Sequence, residues 1–410
     1  MTFNDFNLHE SILKAVSESG YSIPTSIQQQ AIPEVLKGLD LRASAQTGTG
    51  KTAAFLLPAL NRLTIPLPKR VHGPRILILV PTRELALQVS AQAVKYSKYL
   101  PRVKTVCVYG GVPYPIQRRE LSRPFEILVA TPGRLIDHLS SGRIDLSHVE
   151  MLILDEADRM LDMGFIEPVE EIVDATPKSR QTLMFSATLK GSVLKLSQHL
   201  LNKPFEINVV PDVTQHDNIE QRLHMVDNVG HKNRLLDHLL QDPTLNQAII
   251  FISTKSFADQ LVDTLIEQGH HAAALHGDMS QRSRTQTINR LRLGKIRILV
   301  ATDVAARGID IKTITHVINF DIPFKDEDYV HRIGRTGRAG ATGIALTFAL
   351  PKDLRLVRSI EQYTGKKMTV SVIPGMEPKL KQFDKPMARN GKRNRPFVKA
   401  KKSYSPRSFK

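Results

Sequence analysis

Short aliphatic runs alternate along this chain with stretches whose apolar residues return every three or four positions. In the first half the runs fall at 76–80 (Ile-Leu-Ile-Leu-Val), 104–109, 126–130, 151–154 and 181–185. In the second half they fall at 247–252, 297–301, 315–319 and 343–348. They are rich in Val, Ile and Leu and do not alternate strictly with polar residues, as expected of strands buried on both faces. The stretches 83–98, 255–268 and 280–293 lie between them and carry the helical period. That order predicts right-handed βαβ crossovers and two parallel sheets, an α/β architecture.

A chain of 410 residues, 41% of them hydrophobic, is too long for one ordinary core. It fits two domains of roughly 150–200 residues each. The segment Val209–Asp217 is polar, contains Pro211 and has no periodicity. We therefore read a first domain at 1–209, a linker at 210–217 and a second domain at 218–372. Residues 373–410 hold 12 Lys or Arg against 2 Asp or Glu, with prolines at 374, 378, 386, 396 and 406. That composition predicts a disordered basic tail.

The formal net charge of +17 and a sequence pI of about 9.9 favour a polyanionic partner, nucleic acid before an anionic membrane. No apolar run approaches the ~18–20 residues of a membrane span, and Met1–Glu18 lacks a signal pattern. A soluble, cytoplasmic protein with no membrane partner is expected. The single cysteine, Cys107, lies in an apolar run and reads as a small buried hydrophobe, which suits a reducing compartment.

Two phosphate-handling patterns stand far apart. The first is Ala45-Gln46-Thr47-Gly48-Thr49-Gly50-Lys51-Thr52, set between a strand-like Leu41–Ser44 and a helical Thr52–Leu60. Backbone N–H groups of such a turn point at phosphate oxygens, Lys51 reaches the β and γ phosphates, and the Thr52 hydroxyl ligates Mg2+. A glycine-rich surface turn is the plainer alternative, and alanine stands where the usual pattern begins with glycine. Asp155-Glu156 ends the run 151–154, at what would be the carboxyl edge of a sheet, where ligands bind. Asp155 can hold Mg2+ through water, and Glu156 can orient and deprotonate an attacking water. Taken singly, either acid could be a helix N-cap.

The second pattern is His331-Arg332-Ile333-Gly334-Arg335-Thr336-Gly337-Arg338. Planar guanidinium groups hold phosphate oxygens bidentately, whereas a solvated basic loop would have no need of the glycines. A phosphate loop and a distant arginine set imply a site assembled from two lobes. No His, Cys or carboxylate cluster has metal-ligand spacing, so the only metal expected travels with the nucleotide.

Asp155-Glu156-Ala157-Asp158 is the signature tetrapeptide of the DEAD-box RNA helicases, and further motifs follow in that family's order. They are Pro81–Ala86, Gly110-Gly111, Thr131–Arg134 and Ser186-Ala187-Thr188, then Phe251–Thr254, Gln281–Arg284, Ala301–Asp310 and His331–Arg338. The chain resembles that family over about residues 3–350. Ala43–Gln46 and Gln28–Pro33 are most similar to the bacterial RhlE-type branch. The resemblance implies two tandem RecA-like parallel-sheet domains, with ATP and Mg2+ bound between them, and makes Ala45 an ordinary first residue of the loop.

It also implies roles. Gln28, within Gly20–Gln28, reads adenine, Phe3 packs on the base, and Gly308 and Asp310 lie at the nucleotide, Asp310 on the ribose. Glu156, Lys51, Arg335 and Arg338 are catalytic, the arginines as fingers on the γ-phosphate, while Arg332 supports the site. Asp158, Ser186, Thr188 and His331 couple the domains, with His331 directed toward Asp158 or the Ser186–Thr188 segment. Pro81, Thr82, Arg83, Gly111, Thr131, Pro132 and Arg134 face RNA from the first domain; Thr254, Arg284 and Thr302 do so from the second. These are hydroxyls, turn amides and arginines, suited to sugar-phosphate contacts and not to base edges. Helix caps would account equally for Thr131 and Gly133.

The tail interleaves Phe383, Phe397, Tyr404 and Phe409 with its cations and would tether RNA. The expected function is an RNA-dependent ATPase that separates short duplexes or remodels RNA–protein complexes. Its partners would be ribosome-assembly or RNA-degradation machinery. An ATP-gated RNA clamp and a DNA helicase with a similar core are the competing readings.

Overall fold

Ile76, Ile78, Ile127 and Val129 enter one hydrophobic core of the first lobe, while Leu77, Leu79, Leu128 and Ala130 enter another. Both faces of these strands are therefore covered, which is why their sequences run apolar without alternation. The computed structural model describes residues 1–45, 49–67, 72–189, 191–209, 218–306, 311, 313–337 and 341–379.

The first sheet contains β1 (Leu41–Ser44), β2 (Ile76–Leu79), β3 (Thr105–Val108), β4 (Ile127–Ala130), β5 (Met151–Leu154), β6 (Gln181–Ser186) and β7 (Phe205–Asn208). Its order is β3-β4-β2-β5-β6-β1-β7, with every pairing parallel. The second contains β8 (Ile219–Met225), β9 (Ala248–Phe251), β10 (Ala272–Leu275), β11 (Ile298–Ala301), β12 (His316–Asn319), β13 (Gly343–Ala349) and β14 (Thr369–Val370). Its order is β10-β11-β9-β12-β13-β8-β14, also parallel throughout. Counted from its own first strand, the second sheet repeats the order of the first. The two lobes are thus two copies of one topology, each gathering all strand carboxyl ends at a single edge.

Each lobe has its own cores: the first draws only on residues up to Val209, the second only on residues from Ile219 onward. The order of the chain extends past residue 373, where the sequence suggested that a disordered tail begins. Ile373 and Met376 pack against the second core, Met376 O lies 3.0 Å from His231 Nε2, and Lys379 N donates to Asp227 Oδ2 at 3.0 Å. Two apolar side chains in a basic context are enough to hold that segment down. Residues 380–410 and the expected linker, 210–217, lie outside the described residues. No described helix is long and apolar enough to cross a membrane.

Candidate functional site between the two lobes

β1 runs into Ala45, whose N–H donates to Ser186 O at 2.9 Å and whose methyl group is buried. Gln46, Thr47 and Gly48 lie outside the described residues; Thr49 is buried, and the helix Lys51–Leu63 follows Gly50. Gly50 has φ +92°, and a Cβ there would sit 2.5 Å from Gln28 Nε2. Gln28 is the reason: its Nε2 donates to Gly50 O at 3.1 Å while its Oε1 accepts from Thr25 N at 2.9 Å. One N–H and one lone pair of the amide are left for a base edge. Phe3 is only 5% exposed and packs edge-on against Phe6 within the core, so little of its ring is open to a base. Gly50→Ala is expected to cost roughly 1–2 kcal/mol of stability from the left-handed backbone alone. It also displaces Gln28, and nucleotide affinity should drop about tenfold; a thermal melt and a nucleotide titration check both.

Lys51 Nζ is buried and makes no hydrogen bond among the described residues. Asp155 Oδ1 lies 3.9 Å away. A buried ammonium without a hydrogen bond is costly unless an anion comes to it, and phosphate is such an anion. Asp155 accepts from Glu156 N at 3.0 Å. Burial pushes its carboxyl up to about 6; Lys51 opposes the shift and Glu156 adds to it. A carboxyl with so little hydration suits a cation at the loop, and Thr52 and Asp155 are the side chains that would hold Mg2+. Among the described residues no group of three or more His, Cys, Asp or Glu could hold a metal by itself.

Glu156 occupies the N-cap position of the helix Ala157–Asp162 without capping it through its side chain. Its backbone is left-handed, at φ 54° and ψ 52°, which costs roughly 1–2 kcal/mol in a residue other than glycine. A strained acid whose carboxylate is not spent on the cap fits a reactive role better than a structural one. Asp158 is committed: its Oδ2 accepts from Ala187 N at 3.0 Å and Thr188 N at 3.2 Å, and burial raises its pKa. Ser186 Oγ donates to Thr188 O at 2.6 Å, so the segment after β6 is tied to the acidic tetrapeptide.

The helix Asp326–Ile333 of the second lobe meets this segment across the cleft. His331 Nδ1 lies 3.5 Å from Arg159 Nη1, and Arg159 Nη1 lies 3.8 Å from Asp328 Oδ1. Lys325 Nζ reaches Asp162 Oδ1 at 2.6 Å. Arg332 holds Asp303 through Nε at 2.6 Å and Nη2 at 2.7 Å, and its Nη1 donates to Asp321 O at 2.5 Å. Its fork is therefore used up inside the second lobe. Arg335 donates through Nε to His331 O at 3.1 Å and lines the interlobe cavity beside Arg159, Asp303 and Asp328. Gly308, Asp310 and Arg338 lie outside the described residues.

A second bridge joins the lobes where RNA contacts were expected. Arg284 is placed on Glu84 and not on an open surface: Nη2 is 2.6 Å and Nε 2.9 Å from Glu84 Oε1, with both side chains buried. Arg83 donates to Gln281 Oε1 at 3.1 Å and lies so close to Gly111 that a Cβ there would meet its Nη1 at 2.4 Å. Arg134 is held inward as well, donating to Val112 O at 2.7 Å with its guanidinium 4.2 Å from the Tyr114 ring centre. Each of these three arginines is thus engaged with protein groups. Sequence reasoning missed Glu84, Arg159, Asp162, Lys325 and Asp328, because nothing in a charged residue's own neighbourhood names a partner far along the chain.

The threonines obey the internal repeat. Thr82 follows β2 and Thr254 follows the equivalent β9; Thr131 follows β4 and Thr302 the equivalent β11. Each precedes the N-terminus of a helix, with Pro132 as the first helical residue after Thr131. Thr82 Oγ1 accepts from Leu85 N at 3.2 Å, whereas Thr131 and Thr254 make no side-chain cap bond. Four helix N-termini on two sheet edges offer N–H groups and partial positive charge, the chemistry a phosphate chain needs.

A phosphate loop in one lobe and an arginine-bearing helix in its structural twin define a two-lobe nucleotide-dependent protein of the helicase class. Residues 25–196 match the DEAD/DEAH box helicase family, and residues 231–340 match the helicase conserved C-terminal domain. The ATP-dependent RNA helicase SrmB of Haemophilus influenzae is 42% identical over 381 residues, which cover 92% of this chain and 86% of that protein. DeaD of Mycobacterium tuberculosis, also an ATP-dependent RNA helicase, is 44% identical over 376 residues, covering 92% of this chain and 66% of its own length. The chain belongs to the DEAD-box helicase family. Among solved structures, S. cerevisiae Dbp5 bound to RNA and ADP BeF3 superposes with a TM-score of 0.81 at 30% identity, covering 90% of this chain and 95% of the chain in that structure. A score that high over both lobes means that they are set against each other much as in that complex.

Proposed function

We propose that this protein is an RNA-dependent ATPase that closes on single-stranded RNA and separates short duplexes or displaces bound protein. The interlobe docking of the Asp326–Ile333 helix on the Ala157–Asp162 helix carries this reading. It sets Arg335 in one cavity with Arg159, three residues beyond Glu156. Lys51 and the loop amides receive the phosphates, Gln28 the base, and Gly308 with Asp310 the ribose side. Glu156 takes the proton from the attacking water, and Arg335 and Arg338 hold the charge that develops on the γ-phosphate. Thr52 and Asp155 would hold Mg2+, which would supply further charge neutralisation at the phosphates. Asp158, Ser186, Thr188 and His331 relay closure between the nucleotide and RNA sides.

Pro81, Thr82, Gly111, Thr131, Pro132, Thr254 and Thr302 meet the RNA backbone, with Arg83, Arg134 and Arg284 fixing the shape of that track. Contacts of this kind carry little base preference. The motif surroundings at Gln28–Pro33 and Ala43–Gln46 support the RhlE-type branch, with a cytoplasmic role in ribosome assembly or RNA turnover. ATP turnover with RNA and with DNA of the same sequence tests the proposal. RNA should stimulate strongly and DNA weakly; equal stimulation would contradict it.

Residues 380–410 carry 11 Lys or Arg against one acid and extend the RNA contact electrostatically. Truncation after Lys379 leaves the packed Ile373–Lys379 segment in place. It should weaken RNA binding and flatten its salt dependence with the nucleotide site intact. An unchanged slope of log affinity against log salt would count against the tail's role.

A further inference from the structure

Lys232 belongs to none of the motifs, yet its amino group is almost wholly buried in the second lobe. It sits on the helix Val229–Leu240, donates to Phe320 O at 2.5 Å and Asp321 Oδ1 at 2.9 Å, and lies 4.9 Å from the Phe320 ring centre. Asp321, just beyond β12, is a crossing point. Its Oδ2 accepts from Ser253 N at 2.9 Å, its N–H donates to Phe251 O at 3.2 Å, and its carbonyl accepts from Arg332 Nη1 at 2.5 Å. Burial pushes the Asp321 carboxyl up, but the Lys232 charge and the Ser253 N–H outweigh it and leave it below the usual range.

Alternating charges therefore run Lys232, Asp321, Arg332, Asp303 across the carboxyl ends of β12, β9 and β11. Asp321 touches Ser253, the residue before Thr254, and the far end is Asp303, the residue after Thr302. From the middle, the Arg332 backbone leads within three residues to Arg335. Burying a lysine is costly, and replacing a buried pair by apolar side chains is often neutral or stabilising. Stability alone gives no reason for a lysine here.

We infer that Lys232 is a positioning residue: through Asp321 it holds the Ser253–Thr254 turn and the Arg332–Arg335 segment in one register, so that RNA on the threonines sets the arginine over the nucleotide. The inference rests on the proposed RNA-dependent turnover and names the route within the second lobe.

Two full-length variants test it, Asp321→Asn, which keeps the shape, and Lys232→Met/Asp321→Leu, which removes both charges together. RNA-free and RNA-saturated turnover, the KM for ATP and the melting temperature are measured for each. In both variants the RNA-stimulated kcat should fall about tenfold or more, as small misplacements of reacting groups do. The KM for ATP and the RNA-free rate should stay within about twofold of the parent, and Lys232→Arg should retain most of the stimulation. Full stimulation in either folded variant overturns the inference. So does an equal loss of RNA-free and RNA-stimulated rates, which marks a merely structural pair. An unmodified protein that ignores RNA would instead overturn the proposed function.

Discussion

Arg335→Ala is expected to bind ATP as the parent does and to lose on the order of 10³-fold or more in RNA-stimulated turnover. The guanidinium donates to His331 O and lines the interlobe cavity, whereas the loop, Lys51 and Asp155 all belong to the first lobe. Removing the side chain therefore leaves the binding groups in place and takes away a charge that acts only when the lobes are together. A 10³-fold loss corresponds to about 4 kcal/mol of transition-state stabilisation, a size that one preorganised guanidinium can supply. Lysine at the same position keeps the charge but loses the planar fork, and should recover only a small part of the rate. Single-turnover hydrolysis at saturating ATP separates this outcome from weakened binding; normal turnover in Arg335→Ala would refute the assignment.

Glu84→Ala gives the second large effect and decides what Arg284 is for. The closed arrangement buries Arg284 against Glu84, so alanine there strands a guanidinium without its partner. Breaking a buried pair in this way costs about 3–5 kcal/mol, and the open form, where Arg284 regains water, escapes most of it. RNA affinity in the presence of a non-hydrolysable ATP analogue should fall by roughly 10²–10³-fold. Nucleotide binding without RNA should change little. Were Arg284 chiefly an RNA ligand, removing Glu84 would free a cation and tighten RNA binding. The double variant Glu84→Leu/Arg284→Leu should recover part of the loss, because neither charge is then stranded.

The sheets were legible wherever strands are buried on both faces, since unbroken Ile, Leu and Val runs leave little else to conclude. Four strands escaped notice, each for a local reason. β10 is Ala-Ala-Ala-Leu, with little of the side-chain bulk that marks a strand, and β14 has two residues. β7 forms an edge and is mostly exposed, and β8 interleaves Glu220, Gln221, Arg222 and His224 with its apolar positions. The repeated strand order could not be seen at all, because it resides in pairing and not in residue similarity.

At the site, the glycine-rich loop and the acidic pair were readable because their chemistry is local: backbone amides, one lysine and two acids close in sequence. The arginines were harder. The resemblance assigns Arg83, Arg134 and Arg284 to RNA and Arg335 to the γ-phosphate, but the residues themselves say only that each is a cation in a motif. Only the structure gives them different partners: Gln281 for Arg83, Val112 O for Arg134, Glu84 for Arg284 and His331 O for Arg335. Lys232 and Asp321 gave no signal, since a lone lysine on a helix usually means a solvated face.

ATP turnover by residues 1–209 alone, with and without RNA, bears most directly on the claim that two lobes complete one site. The first lobe keeps its cores without help from the second, so its fragment should fold and bind nucleotide. It should hydrolyse ATP orders of magnitude more slowly than the whole chain and show no response to RNA. A fragment as fast as the intact protein would mean that Arg335 and its lobe take no part in the chemistry.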